Sequence, residues 1–205
     1  ISFEVSHALR RHVISILWDI AQFYDSLCAD IILQEAKAVG LPPAPTAVAL
    51  LAHAAPRCIK LQGHFSEPIV SLGRSILVGC RSSTSLAKAS LLRPVRHASA
   101  VCPKGLFGVH IDDISQTHSG SSKYEVFNDT CRGGDILAQG FKDRRFSVSP
   151  KSVVMASSPG LAQQVVDYFA KIGVSLSVVA SEDDLGIRRA GNGRRCMLTL
   201  KKRWQ

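Results

Sequence analysis

Acidic residues are scarce in this chain: 16 Asp and Glu stand against 25 Lys and Arg, a formal charge of +9 over 205 residues with a pI near 9.5. Such a balance suits contact with phosphate or with an anionic membrane surface, and charge alone does not choose between them. Proline is also scarce, at 9 residues, while 46% of the chain is hydrophobic and 20% charged. That composition excludes disordered, collagen-like and disulfide-scaffold classes. Paired cysteines are lacking: the six at 28, 58, 80, 102, 131 and 196 lie at least 22 residues apart, which leaves no Cys-x-x-Cys and no zinc-ligand spacing. They read as free thiols in a reducing compartment, nucleus or cytoplasm, of a protein that is not secreted. There is no long hydrophobic run. The longest stretch free of Asp, Glu, Lys and Arg, Ala38 to Pro56, is interrupted by Pro42, Pro43, Pro45 and His53, so no membrane partner is expected. The first residue is Ile, and no charged-then-apolar leader follows it, which reads as a piece of a longer chain without a signal peptide.

What the chain does have is a basic end. Arg188, Arg189, Arg194, Arg195, Lys201, Lys202 and Arg203 fall in the last eighteen positions, where there is no acid. Such a tail is either a polyanion contact or a solvated terminus.

Periodicity divides the rest into alternating strands and helices, an α+β or α/β pattern without repeats. Residues 2–12 suit a short amphipathic helix. Val13 to Trp18 reads as a buried strand ending at Asp19, and Ser26 to Val39 as a helix capped by Asp25 and stopped at Gly40. Pro45 to Ala55 predicts a second helix, Arg57 to Leu61 and Phe65 to Ser71 a hairpin around Gly63, and Ser82 to Leu92 a third helix. Gly105 to Ile111 and Ile114 to Thr117 predict strands meeting at an Asp112-Asp113 turn. Lys123 to Leu137 reads as a weak helix broken at Gly133-Gly134. Lys151 to Ala156 is a strand, Leu161 to Ile172 a helix and Val174 to Val179 a last strand.

Asp19 at a strand end and Asp112 at a hairpin turn are the residues with chemical promise. Phosphoryl and nucleotidyl transfer use divalent cations ~3.5–4 Å apart, held by carboxylates from different strands. Taken singly, each of these acids also suits plain duty, as a turn former or a surface acid.

As an ordered set they resemble a reverse transcriptase of the retroelement and group II intron kind. Asp19-Ile-Ala-Gln-Phe-Tyr-Asp-Ser-Leu27 is similar to that family's first palm motif. His110-Ile-Asp-Asp113 is similar to its Asp-Asp hairpin, with His in place of the usual aromatic. Between them, Val78-Gly-Cys-Arg-Ser-Ser-Thr-Ser-Leu86 keeps Gly79, Ser83 and Leu86 of the family's template-supporting segment. It carries Val78 and Thr84 where the family has Gln and Pro. Phe146-Ser-Val-Ser-Pro-Lys-Ser152 resembles the segment ending in a lysine near the triphosphate, and Asp184-Leu-Gly-Ile187 the primer-contacting hairpin.

The resemblance implies an α+β polymerase palm over residues 1–187, a ferredoxin-like antiparallel sheet packed on helices. Residues 188–205 would be a basic tail leading towards a thumb. With only eighteen residues before Asp19, the fingers are expected to be largely missing, and processive synthesis by this chain alone is not expected. The implied partners are an RNA or DNA template with primer and deoxynucleoside triphosphates, and the implied cofactor is Mg²⁺, with Mn²⁺ as a substitute. Asp19, Asp112 and Asp113 would be the catalytic and metal-binding acids, with the Ile20 carbonyl as a further ligand. Tyr24 would lie under the nucleotide sugar, or else be an ordinary buried aromatic. Gly79 and Lys151 would meet the nucleotide. Ser83, Leu185, Gly186, Arg188, Arg189, Arg194 and Arg195 would contact nucleic acid.

Two other readings stand beside this one. A catalytically inactive palm relic would bind nucleic acid without incorporation. An RNA-recognition module is faintly suggested by Lys104-Gly-Leu-Phe-Gly-Val109, but its aromatics are out of register, and three Tyr with two Trp poorly supply a stacking surface.

Overall fold

A computed structural model describes residues 11–70, 73–179, 181–184 and 187–190. It is an α+β structure built on a five-stranded sheet. The strands are β1 (His12–Trp18), β4 (Leu106–His110), β5 (Asp113–Gly120), β6 (Val153–Ala156) and β7 (Ser177–Val178), in the order β4-β5-β1-β6-β7. The helices are α1 (Phe23–Ser26), α2 (Ala29–Ala38), α3 (Pro43–Ala54), α4 (Ser83–Val101), α5 (Lys123–Asp143) and α6 (Pro159–Lys171). Two short antiparallel pairs stand apart, β2 (Lys60–Leu61) with β3 (His64–Phe65), and β8 (Ser181–Asp184) with β9 (Ile187–Ala190).

The sheet is mixed rather than antiparallel throughout. β1 runs antiparallel to both β5 and β6, whereas β7 is parallel to β6. The reason is the crossover: helix α6 lies between β6 and β7 and returns the chain to the end where β6 began, which forces the next strand to run the same way. β7 also keeps only two of the six residues from Val174 to Val179.

Alternation along β1 and β5 sorts their side chains. Ile14, Ile16 and Trp18 pair with His118, Gln116 and Ile114, and all six are buried. Trp18 packs edge-on against Phe141 of α5 and Phe169 of α6, at ring distances of 5.9 and 5.5 Å. This layer encloses a polar set. The Trp18 indole donates to Gln116 Oε1 at 3.1 Å, and the Gln116 amide donates to the Thr130 carbonyl at 2.8 Å and contacts His118 Nε2 at 3.1 Å. With the amide oriented by Trp18 and Thr130, its nitrogen can only donate to His118, so the imidazole is neutral and accepts at Nε2. Burial pushes the His118 pKa down to about 4, against a smaller upward pull from Asp129.

Helix α5 corrects the reading of a weak, interrupted element, for it runs unbroken through Gly133 and Gly134. Those glycines are sites of close approach. A Cβ on Gly134 would lie 2.3 Å from the Phe169 ring, and one on Gly133 would lie 2.9 Å from the Gln116 amide. Packing therefore outweighs the ~1 kcal/mol that a helical glycine costs. The helix starts at Ser122, whose hydroxyl accepts the Glu125 N–H at 3.3 Å. Helix α4 is also longer than expected, continuing through Pro94 to Val101, because the buried proline ring lies where a Cβ on Gly140 would meet it at 2.4 Å. Where α5 ends, Arg144 is buried with Nη2 2.7 Å from Glu35 of α2, and Arg93 of α4 reaches the same carboxylate oxygen at 3.3 Å.

The early part of the chain also differs from expectation. The 26–39 helix splits into α1 and α2, with Cys28 rather than Asp25 at the start of α2. Asp25 lies inside α1 and accepts a hydrogen bond from the Ser75 hydroxyl at 3.1 Å. The 57–71 hairpin is reduced to two-residue strands around Gln62-Gly63, with one further bridge between Arg57 and Ile69. No helix among the described residues is long and apolar enough to cross a membrane, and the described cysteines form no disulfide.

Candidate functional site

Three segments singled out in the sequence converge at one end of the sheet. β1 ends at Trp18, paired with Ile114. Continuing that antiparallel register by one residue sets Asp19 opposite Asp113, the first residue of β5. β4 reaches the same end at His110, paired with Asp113. β6 begins there, since Leu17 pairs with Val153, so the Phe146–Ser152 segment enters the sheet beside Asp19.

The β4–β5 turn is Ile111-Asp112, not Asp112-Asp113. Ile111 takes φ +61°, a left-handed value that a β-branched side chain tolerates poorly. Asp112 is partly buried and Asp113 exposed. The acids are therefore split between a strained turn and a strand start.

Asp19 is tied down by its main chain. Its N–H donates to Ser152 Oγ at 2.9 Å, and its carbonyl accepts from the Ser149 N–H at 2.8 Å and from the Ser152 hydroxyl at 3.2 Å. One residue on, the Ala21 N–H donates to the Ser147 carbonyl at 2.9 Å. Ile20 is buried and bridges Val148, but the bonds of this bridge belong to Asp19 and Ala21, so the Ile20 carbonyl takes no part in it. Lys151 is exposed on the turn between Ser149 and Ser152. Ser149 and Ser152 carry no signal of their own in the sequence beyond being hydroxyl residues in a stretch read for its lysine.

A second cluster forms around Tyr24. This half-buried residue packs edge-on against Phe23 at 5.6 Å, and its carbonyl accepts the Ile76 N–H at 3.0 Å. Bonds from Ala29 to Gly73 and from Ser75 to Leu27 continue the seam. The loop holding Gly79 is thereby moored beside Tyr24. Gly79 is exposed, has φ +84° and has open space where a Cβ would stand, as backbone approach by a ligand would need. Ser83, by contrast, is buried, and its hydroxyl donates to the Cys80 carbonyl at 2.6 Å. On that loop Cys80 is held below the usual thiol pKa by its hydrogen bond with the Ser82 hydroxyl and by backbone N–H groups, with desolvation opposing.

Of the remaining residues named from the sequence, Arg188 and Arg189 are on β9, in register with Asp183 and Glu182. Leu185, Gly186, Arg194 and Arg195 lie outside the described residues.

The donors at this end are hard oxygens, the kind Mg²⁺ takes, and one or two carboxylates suffice where substrate phosphates and water complete its shell. Asp19 and Asp113 on neighbouring strands, with Asp112 beside them, fit that requirement. They do not amount to a closed protein cage: among the described residues no group of three His, Cys, Asp or Glu could hold a metal ion by itself. No protein-family model matches the chain, and no curated protein matches it.

Proposed function

We propose that the chain is the palm of a reverse transcriptase-like polymerase, which adds deoxynucleotides to a primer 3′-hydroxyl on an RNA or DNA template with release of pyrophosphate. The observation that carries this reading is the strand register, which sets the end of the Asp19 motif against the start of β5, next to the Asp112 turn and the Lys151 segment. These segments lie far apart in sequence, and nothing in turn chemistry alone requires them to share one sheet end.

Each residue then has a task. Asp19 and Asp112 bind divalent cations with Asp113 in support, and Tyr24 and Gly79 border the nucleotide sugar and base. Lys151 lends positive charge, or a proton, to the departing pyrophosphate. Mg²⁺ or Mn²⁺, when bound, supplies concentrated positive charge to the triphosphate and lowers the pKa of the attacking hydroxyl. Positioning and electrostatics account for the rest of the rate. The left-handed Ile111 supports the reading, since strained backbone persists where the surroundings over-determine it, often at active sites.

The test is single-nucleotide primer extension on an RNA template with Mg²⁺ or Mn²⁺. Asp19→Asn and Asp112→Asn are each expected to lose at least ~10²-fold in rate. Extension by Asp112→Asn at the parent rate would overturn the site.

A second reading is favoured by Val78, Thr84 and His110 and by the lack of a three-donor cage: a palm that binds nucleic acid without incorporation. It expects salt-dependent RNA or duplex binding and no metal-dependent incorporation.

A further inference from the structure

A fully buried hydroxyl is costly unless it is hydrogen-bonded. Ser152 is fully buried just before β6, and both of its hydroxyl's hydrogen bonds go to the main chain of one residue, Asp19. The packing around it calls for no hydroxyl, since Ala would fit the same space. Asp19 lies one residue beyond the last regular pair of β1, where a strand frays unless something holds it. The same peptide is held by the Ser149 N–H. Ser149 and Ser152 then close the turn that carries Lys151, with the Ser152 N–H on the Ser149 carbonyl at 3.0 Å and the Lys151 N–H on Ser149 Oγ at 3.2 Å.

We infer that Ser152 is a positioning residue whose hydroxyl locks the Asp19 peptide to the Lys151 turn and thereby sets the affinity of this sheet end for a divalent cation. The inference rests on the polymerase reading of Asp19, and it adds a residue that touches neither ion nor substrate. Second-shell hydrogen bonds of this kind orient the ligand carboxylate, and their loss typically weakens metal binding 10–100-fold.

The experiment titrates the full chain with Mn²⁺, followed by electron paramagnetic resonance, alongside thermal melting and amide hydrogen exchange at Asp19. Ser152→Ala is expected to melt cooperatively, to exchange the Asp19 amide faster and to raise the Mn²⁺ Kd by ~10-fold. Ser152→Thr, which keeps a hydroxyl, is expected to recover most of the affinity, and Asp19→Asn to lose the ion. If Ser152→Ala does not fold, Ser152→Cys replaces it, with a similar shape and a weak hydrogen-bonding group, and the same loss is expected. A Ser152→Ala protein that binds Mn²⁺ like the parent while Asp19→Asn does not would overturn the positioning role and leave the polymerase reading standing. A parent that binds no Mn²⁺, or an Asp19→Asn protein that binds it unchanged, would remove the metal site and the role of Ser152 together.

Discussion

The five-stranded sheet and the segment from Arg57 to Gly79 draw on similar apolar residues and end in opposite environments. On the sheet, Ile14, Ile16, Trp18 and Val154 are buried to 3% exposure or less, because helices α5 and α6 cover one face. In the segment, Ile59, Leu61, Phe65, Ile69 and Val78 are all more than half exposed, and the β2–β3 pair is exposed along its whole length. An isolated two-residue hairpin with no covered face contributes little stability of its own. The acids and Lys151 ride on or beside the buried sheet, whereas only the Gly79 loop hangs from the open segment, moored by the Ile76–Tyr24 bond. Stability and mooring are thus separate provisions, one from the core and one from a few main-chain hydrogen bonds.

The contrast breaks most sharply under core overpacking. Gly134→Val would drive a side chain into the Phe169 ring and is expected to lose ~3 kcal/mol or more in urea unfolding, whereas Phe65→Ala stays within ~0.5 kcal/mol of the parent. Equal losses in the two variants would mean that the segment packs as tightly as the sheet.

A comparable effect comes from pH. The unfolded His118 titrates near 6.5 and the folded one near 4, so between those values the unfolded state binds more protons and stability falls as the pH drops. The sheet is expected to lose ~3 kcal/mol across this window through His118. His118→Gln should lose that much less between pH 7 and pH 4, and an unchanged pH profile in the variant would show that the imidazole is not held neutral. The open segment should add nothing to this dependence.

The smallest effect is kinetic. Brief trypsin treatment is expected to cut after Lys60 before any site in α4, α5 or α6, with mass spectrometry locating the nick. Cleavage first within those helices would reverse the ranking of the two regions.

Much of the sheet was legible from residue pattern. Val13 to Trp18 announced a buried strand, and the apolar runs around His110 to Asp113 announced a hairpin, because burial imposes a period of two. The turn was misplaced by one residue. Aspartates are common turn formers, whereas nothing local predicts a β-branched Ile111 at φ +61°. Gly133-Gly134 read as a break because helix propensity is a local quantity, and Phe169, which fills the space they leave, is some 35 residues away. Of the candidate site, the acids and Lys151 could be named from their motifs. Ser149, Ser152 and the Tyr24–Ile76 seam could not, since a serine in sequence does not reveal which main chain it will meet.

Residue order alone established an α+β chain, its basic excess, its free thiols and a set of acids in a suggestive order. Those properties depend on composition and on periods of two and 3.6, which are local. Tertiary structure decided the mixed direction of the sheet, the register that sets Asp19 against Asp113, and the clamp on the Asp19 peptide. Each of these depends on contacts between residues roughly a hundred or more positions apart, and such contacts follow from how helices and strands fill one another's surfaces rather than from any neighbour in the chain.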